Sequence, residues 1–329
     1  MRPRWFALAI PTLLAIRTAR AAEPVELPFE ADLVQPRLAL DLRDSRVDVL
    51  FDPVARPHIR ISDLAQEDNR GGMALLEERP GITQITQPYG EASVAPRLLV
   101  KIVVRPGWDL AVAGQGLTVT AERSGARDEK DGETQEENAP AATPAARQPK
   151  FVVDVRDSSV TVVGTDVSLA GAGSRYQVAG VHGAVESNIT GGSLVVDRSE
   201  GTLDLRGARA DLKLTRVNGA TKVRLDGGKL NAAASAGPLE VYGANADVRL
   251  EQWAGVTRCE GDDNRFDLQQ VGTDSAQSTF SGKRNDIRVD QFLGPLNVDL
   301  LGGSFDGSAL AGKTFIAARL GGSVKVDGA

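Results

Sequence analysis

Three groups of side chains in this 329-residue sequence have the types and spacing that chemistry would need. Glu260, Asp262 and Asp263 put three carboxylates within four positions, oxygen donors of the kind that could form one isolated calcium site. Asp204, Glu240 and Asp267 recur at one place in a repeating pattern and could act as the paired acid and base of a polysaccharide lyase or hydrolase. The third group is sparse: two histidines, His58 and His182, and one cysteine, Cys259. Neither histidine has a cysteine or a second histidine at metal-ligand spacing. Cys259 can form no intrachain disulfide and is expected to be a small buried hydrophobe. No G-x-S-x-G elbow and no phosphate-binding loop occurs, so nucleophilic hydrolysis and nucleotide binding have no residue set. The sequence thus assigns no catalytic residue, no cofactor-binding residue and no metal ligand, and it implies no cofactor.

The element that must position these groups is a nine-residue repeat. From Gly183 to Val271 the chain reads GAVESNITG, GSLVVDRSE, GTLDLRGAR, ADLKLTRVN, GATKVRLDG, GKLNAAASA, GPLEVYGAN, ADVRLEQWA, GVTRCEGDD and NRFDLQQV. Each unit opens on a small or turn-forming residue, and its third and fifth positions are nearly all apolar: Val185/Ser187, Leu194/Val196, Leu203/Leu205, Leu212/Leu214, Thr221/Val223, Leu230/Ala232, Leu239/Val241, Val248/Leu250, Thr257/Cys259 and Phe266/Leu268. The residue between them is polar in every unit but one. That alternation is the signature of a strand, not of a helix. One short strand cannot bury its apolar face, but stacked copies can, each pairing with the strands above and below. Glycine recurs at eighteen, as Gly183, Gly201, Gly219, Gly237 and Gly255, so two units make one coil. The expected fold is all-β, a β-solenoid with nine-residue half-coils and rungs of about eighteen residues.

That frame weighs on the chemistry. The outward residues Asp204, Glu240 and Asp267 alternate in sign with Lys213, Lys222, Arg249 and Arg258, as a solvated solenoid face would. A nonapeptide calcium ladder needs G-G-x-G-x-D-x-U-x, and the units opening at Gly191-Gly192 and Gly227-Gly228 lack both the second glycine and the aspartate. A membrane barrel would want aromatic girdles, and aromatics are only 5% of the chain.

The rest of the chain divides by composition. Residues 1–22 carry Arg2, Arg4, an apolar run from Trp5 to Ile16 and the small-residue site Ala19-Arg20-Ala21, the pattern of a signal peptide cleaved near Ala21 or Ala22. Losing four arginines and no acid would move the net charge from −6 to −10, a balance that disfavours nucleic acid. Residues 23–122 form an N-terminal β-rich module with strand patterns at 37–42, 46–51, 58–62, 82–87, 97–104 and 117–121, which could be the first rungs of the solenoid. Residues 123–149 are rich in Glu, Asp, Pro and Ala and read as a disordered linker. Residues 150–329 form the C-terminal β-solenoid, whose opening repeats the module before it: LDLRDSRVDV from Leu40 aligns without gaps on VDVRDSSVTV from Val153. Gly272-Thr273-Asp274-Ser275 reads as an insertion, first a tolerated irregularity of the repeat and, as the alternative, a loop near Gly272–Arg284 at an edge where solenoids often place binding surfaces. Beyond it the inward pattern resumes at Ser278/Phe280, Ile287/Val289, Leu296/Val298 and Phe305/Gly307, and it ends at Val324/Val326 with no cap except Lys325 and Asp327.

The signal peptide, the Val-rich strand before a Pro-Gly pair in Leu98–Gly107, and the run of G-x-L-x-V and A-D-L-x-L units resemble the bacterial putative-adhesin family of secreted β-solenoid (single-stranded β-helix) domains of unknown function. The resemblance covers roughly Arg37 to Gly328 apart from the linker. It implies a non-enzymatic, adhesin-like protein outside the cytoplasm, in the periplasm or at the cell surface, binding or scaffolding at the cell envelope with an envelope protein or glycan as partner. It brings no catalytic motif. Two other readings stand beside it: a carbohydrate-active parallel β-helix enzyme, and an envelope structural protein that self-associates end to end through an uncapped coil.

Overall fold

The computed structural model describes residues 23–63, 73–87, 97–125 and 151–327, so the leader and nearly all of the acidic segment lie outside the described residues. Within them the chain is all-β with no helix, and its 26 strands join one continuous sheet. Coils about eighteen residues apart stack in parallel as a β-solenoid. Leu203 stands against Thr221 and Leu212 against Leu230, and the same offset carries Leu230 to Val248 and Val248 to Phe266.

One rung shows how the sequence makes a coil. In Thr202–Asn218, Leu203 and Leu205 point inward on a first side and Leu212 and Leu214 on a second, with charged residues alternating outward. The chain turns between the sides at Arg209 (φ 53°), turns again at Arg216 (φ 54°), and crosses a short third side through Gly219 to the next rung. Both corners repeat up the stack. Arg198, Arg216, Ala234, Gln252, Gln270, Gln291 and Ala309 all hold φ between 49° and 59°, a left-handed conformation that costs a non-glycine residue about 1–2 kcal/mol and persists only because the ladders on either side determine it. Every one of the twenty inward positions expected between Val185 and Leu268 is buried, Cys259 included. Burial pushes the Cys259 thiol well above the usual thiol range, so it is an inert core group.

The corner between the first and second sides is filled by small polar residues. Ser158 Oγ accepts the Leu117 N–H (2.9 Å), and Ser174 Oγ accepts the Ser158 N–H (3.1 Å). Farther up, Asn264 Oδ1 accepts the Ala246 N–H at 2.9 Å, and Asn285 Oδ1 accepts the Asn264 N–H at 2.8 Å. Each side chain satisfies a backbone group that the bend takes out of the ladder.

The N-terminal strands belong to the same sheet. Arg37–Arg43 pairs in parallel with Asp109–Gln115, which pairs in parallel with Phe151–Arg156, so Leu40, Val112 and Val153 form one column. The similarity between the segments at Leu40 and Val153 is therefore that of two coils in one register. Stack order departs from chain order here: Ile82–Thr86 and Leu98–Val104 pair beneath Arg37–Arg43 and Arg46–Phe51, although they follow them in sequence. Antiparallel strands then extend the sheet at that end. His58–Asp63 pairs with Leu98–Val104, Met73–Arg79 with Ile82–Thr86, and Phe29–Asp32 and Glu23–Glu26 pair outside those two.

Candidate functional site

The register separates the three carboxylates that an enzyme would need together. Asp204 and Glu240 share a column on the first side with Lys222 between them, whereas Asp267 lies on the second side between Arg249 and Arg288. Lys222 Nζ is 3.2 Å from Glu240, and Arg224 donates to Asp204 at 3.0 Å. Tyr242 donates its hydroxyl proton to Glu240 at 3.1 Å and has the Lys222 and Arg224 charges 5.2 and 5.8 Å from its ring centre. Lys222, and after it the Tyr242 hydroxyl, holds the Glu240 carboxyl below its usual pKa. A general acid would need the opposite shift. The second side alternates as Arg249, Asp267, Arg288, Asp306 and Lys325.

Glu260, Asp262 and Asp263 do not gather either. Arg258 donates to Glu260 at 2.7 Å, the Lys283 backbone N–H donates to Asp262 at 3.0 Å, and Arg284 donates to Asp263 at 2.5 Å with a second bond between the same pair. Among the described residues no group of three His, Cys, Asp or Glu side chains could hold a metal ion. His58 sits in the antiparallel cap with its ring at the Arg56 carbonyl, and His182 contacts Glu200 at 3.3 Å.

The expected Gly272–Arg284 loop is much shorter than its sequence boundaries. Arg265 pairs with Asp286, twenty-one residues on where the rung before it advances eighteen, so three residues are extra. Only residues 273–277 leave the strands, since Ser278 begins the next coil and Ser278 and Phe280 are buried in it. The alternation of Ser278 and Phe280 had placed them inward correctly; the loop boundary ran past them.

Besides an open depression beside Asp247, Asp263, Arg284 and Asp286, a more enclosed concave feature lies on the third side near the Asp109–Gln115 and Phe151–Arg156 strands. A cleft of about 170 Å³ is lined by Phe51, Trp108, Arg123, Phe151, Asp166 and His182 together with the Pro106-Gly107, Gly164-Thr165 and Gly183 backbone. Its floor is the edge-to-face pair Phe51 and Phe151, 5.8 Å apart. Trp108, Asp166 and His182 come from third-side connections of different coils, so stacking alone brings them together. Gly183 makes room for Asp166: a Cβ there would lie 2.2 Å from its Oδ1. Among the described residues the Asp166 carboxylate, the Arg123 guanidinium and the Trp108 indole N–H have no hydrogen-bond partner, while the charged side chains on the first side are largely paired. An aromatic wall beside uncommitted donors and an acceptor can hold a small polar ring or a charged group. Sequence reasoning named His182 but missed the rest; the one signal was Trp108, one of three tryptophans, directly after a Pro-Gly turn.

No family model matches this chain, and no curated protein does. One solved structure aligns, a putative cell adhesion protein from Clostridium sporogenes, at 11% identity over 76% of this chain and the whole of the other, with a TM-score of 0.22.

Proposed function

We propose that the chain is an adhesin-like β-solenoid that works outside the cytoplasm, at the cell envelope, by binding and not by catalysis, and that the Trp108 cleft is its point of contact with a glycan. The observation that carries this reading is the cleft itself. It is a concave, partly aromatic site whose Asp166 carboxylate, Arg123 guanidinium and Trp108 N–H have no hydrogen-bond partner among the described residues. Aromatic faces stack on the apolar face of a sugar ring while a carboxylate and a guanidinium take its hydroxyls, and an Arg beside His182 favours a sugar that carries an acid. The long sides, whose outward charges largely pair with one another, suit a stiff spacer that presents such a site.

The test is a glycan array and an envelope-fraction capture with the purified chain, its Arg123→Glu and Asp166→Ala variants, and a control lacking Thr273, Asp274 and Ser275. Saturable capture that both substitutions reduce at least about tenfold, and that the control retains, is the expected result. Capture unaffected by either substitution would remove the cleft from the proposal. Shortening of the captured glycan would overturn the non-catalytic reading. N-terminal sequencing of the exported chain tests the leader, with Ala22 or Glu23 as the expected first residue.

A further inference from the structure

Asp166 and Arg123 reach the Trp108 cleft from adjacent coils. Glu122 pairs with Val163, so Arg123, the last residue of Thr118–Arg123, ends beside Gly164, and Asp166 follows in the connection to Val167–Ala172. The cleft thus carries a guanidinium and a carboxylate, and neither forms an ion pair with the other or with any other described residue. Phe51 and Phe151, 5% and 2% exposed, make an apolar floor, and the half-buried Trp108 adds a further aromatic ring. The volume of about 170 Å³ is well under the roughly 300–1,000 Å³ of a site for a drug-sized molecule. The cleft therefore takes one small group and not a stretch of polymer.

We infer that the group it takes is zwitterionic, an ammonium and an oxyacid anion carried close together on one ligand; this rests on the reading of the cleft as a glycan site. A neutral sugar offers hydroxyls alone and leaves both Asp166 and Arg123 without a counter-charge beside an apolar floor. A sugar that carries only an acid answers Arg123 but brings a second negative charge toward Asp166. An ammonium removes that conflict. It answers the Asp166 carboxylate and lies against aromatic rings, whose faces attract cations. The anion then takes the paired N–H donors of Arg123. Two substituents of a glycan have this shared chemistry, an amino sugar that also bears a carboxylate and a choline phosphate ester.

Isothermal titration calorimetry of the purified chain with two matched pairs of probes tests it. Muramic acid is set against N-acetylmuramic acid, which keeps the carboxylate and lacks the ammonium, and choline phosphate against inorganic phosphate. The expected result is that at least one zwitterion binds with a Kd of about 1 mM or below, the range open to so small a ligand. Its counterpart without the ammonium binds at least about tenfold more weakly, and the pair that responds identifies the source of the group. Asp166→Asn, nearly unchanged in shape, abolishes that preference, whereas Arg123→Gln weakens both members of the pair; circular dichroism checks that each variant is folded. Equal binding of both members to the unaltered chain, or a preference that Asp166→Asn leaves intact, would overturn the inference and leave an acid-bearing glycan in the cleft. If none of the four probes binds while glycan capture still depends on Arg123 and Asp166, the inference alone falls. If capture is indifferent to both residues as well, the glycan reading of the cleft falls with it.

Discussion

Gly219→Ala separates two reasons why glycine recurs every eighteen residues. Gly219 has φ 144°, and a Cβ on it would lie 2.0 Å from the Gly201 carbonyl oxygen of the preceding rung, against the 3.4 Å or more of an ordinary contact. Accommodating it means moving one third-side turn off the next by roughly 1.4 Å, in a stack whose strands are about 4.8 Å apart. The Gly201 N–H to Asn218 and Leu203 N–H to Ala220 bonds, which join the same two rungs at 3.0 Å each, then exceed bonding distance. Two such bonds at about 1 kcal/mol each, with about 1–2 kcal/mol for the unfavourable φ, give about 3–4 kcal/mol. Gly180 is the control. It also has positive φ (61°) but nothing within 4 Å of a Cβ, so Gly180→Ala is charged only the backbone strain, about 1–2 kcal/mol. Guanidinium-chloride unfolding of both variants measures the difference. If they lose the same stability to within about 0.5 kcal/mol, close stacking of the third side is not what excludes a side chain at Gly219.

Three further outcomes follow from the core. Tyr176 is fully buried, and burial pushes its phenol up to about 12 from its usual 10. Below pH 10 both states are neutral and its contribution is complete; between pH 10 and 12 only the unfolded state ionises, so stability falls with rising pH by at most about 2.7 kcal/mol, and Tyr176→Phe flattens that alkaline slope in pH-dependent melting. Asn264→Ala strands the Ala246 N–H and the Gly243 carbonyl, which the amide binds at 2.9 and 3.0 Å, and lowers unfolding stability by about 3 kcal/mol. Ser187 is buried with its hydroxyl unpartnered among the described residues, so Ser187→Ala raises the denaturation midpoint, with a gain of about 1 kcal/mol.

The inward columns were legible because strand alternation and the eighteen-residue return are both written in single residues. Even Thr257 and Cys259, neither strongly apolar, were placed by phase, and both are buried. The same phase explains what went astray at Asp267. Units eighteen or thirty-six residues apart fall on one side of the coil, as Asp204 and Glu240 do, whereas Asp267 is an odd number of half-coils from Glu240 and lands on the other side. A nine-residue frame treats the two sides as one. Stack order at the N-terminal end was hidden for another reason: which coil pairs beneath Arg37–Phe51 depends on contacts distant in sequence, and parallel strands of similar composition offer no local preference. Met73–Arg79 escaped notice because Leu75 and Leu76 are adjacent and three charges follow, and Asp109–Gln115 because its outward residues are alanines.

The cleft was not legible because it belongs to the side of the coil with the weakest sequence constraint. On the first and second sides each residue must serve an inward column or an outward one, and both columns are tied to the rungs above and below. The third side carries as little as two paired positions per rung, Ser199 against Val217 and Glu200 against Asn218 in one instance. An insertion there breaks few ladder bonds. The three extra residues before Ser278 leave the stack on that side. Freedom from the repeat is also what lets Trp108 and Asp166 keep side-chain hydrogen-bonding groups that have no partner among the described residues. In this fold the residues that explain the architecture and most of those proposed to bind are therefore drawn from different sides, and a search for function by repeat position looks first at the sides where the charges are already paired.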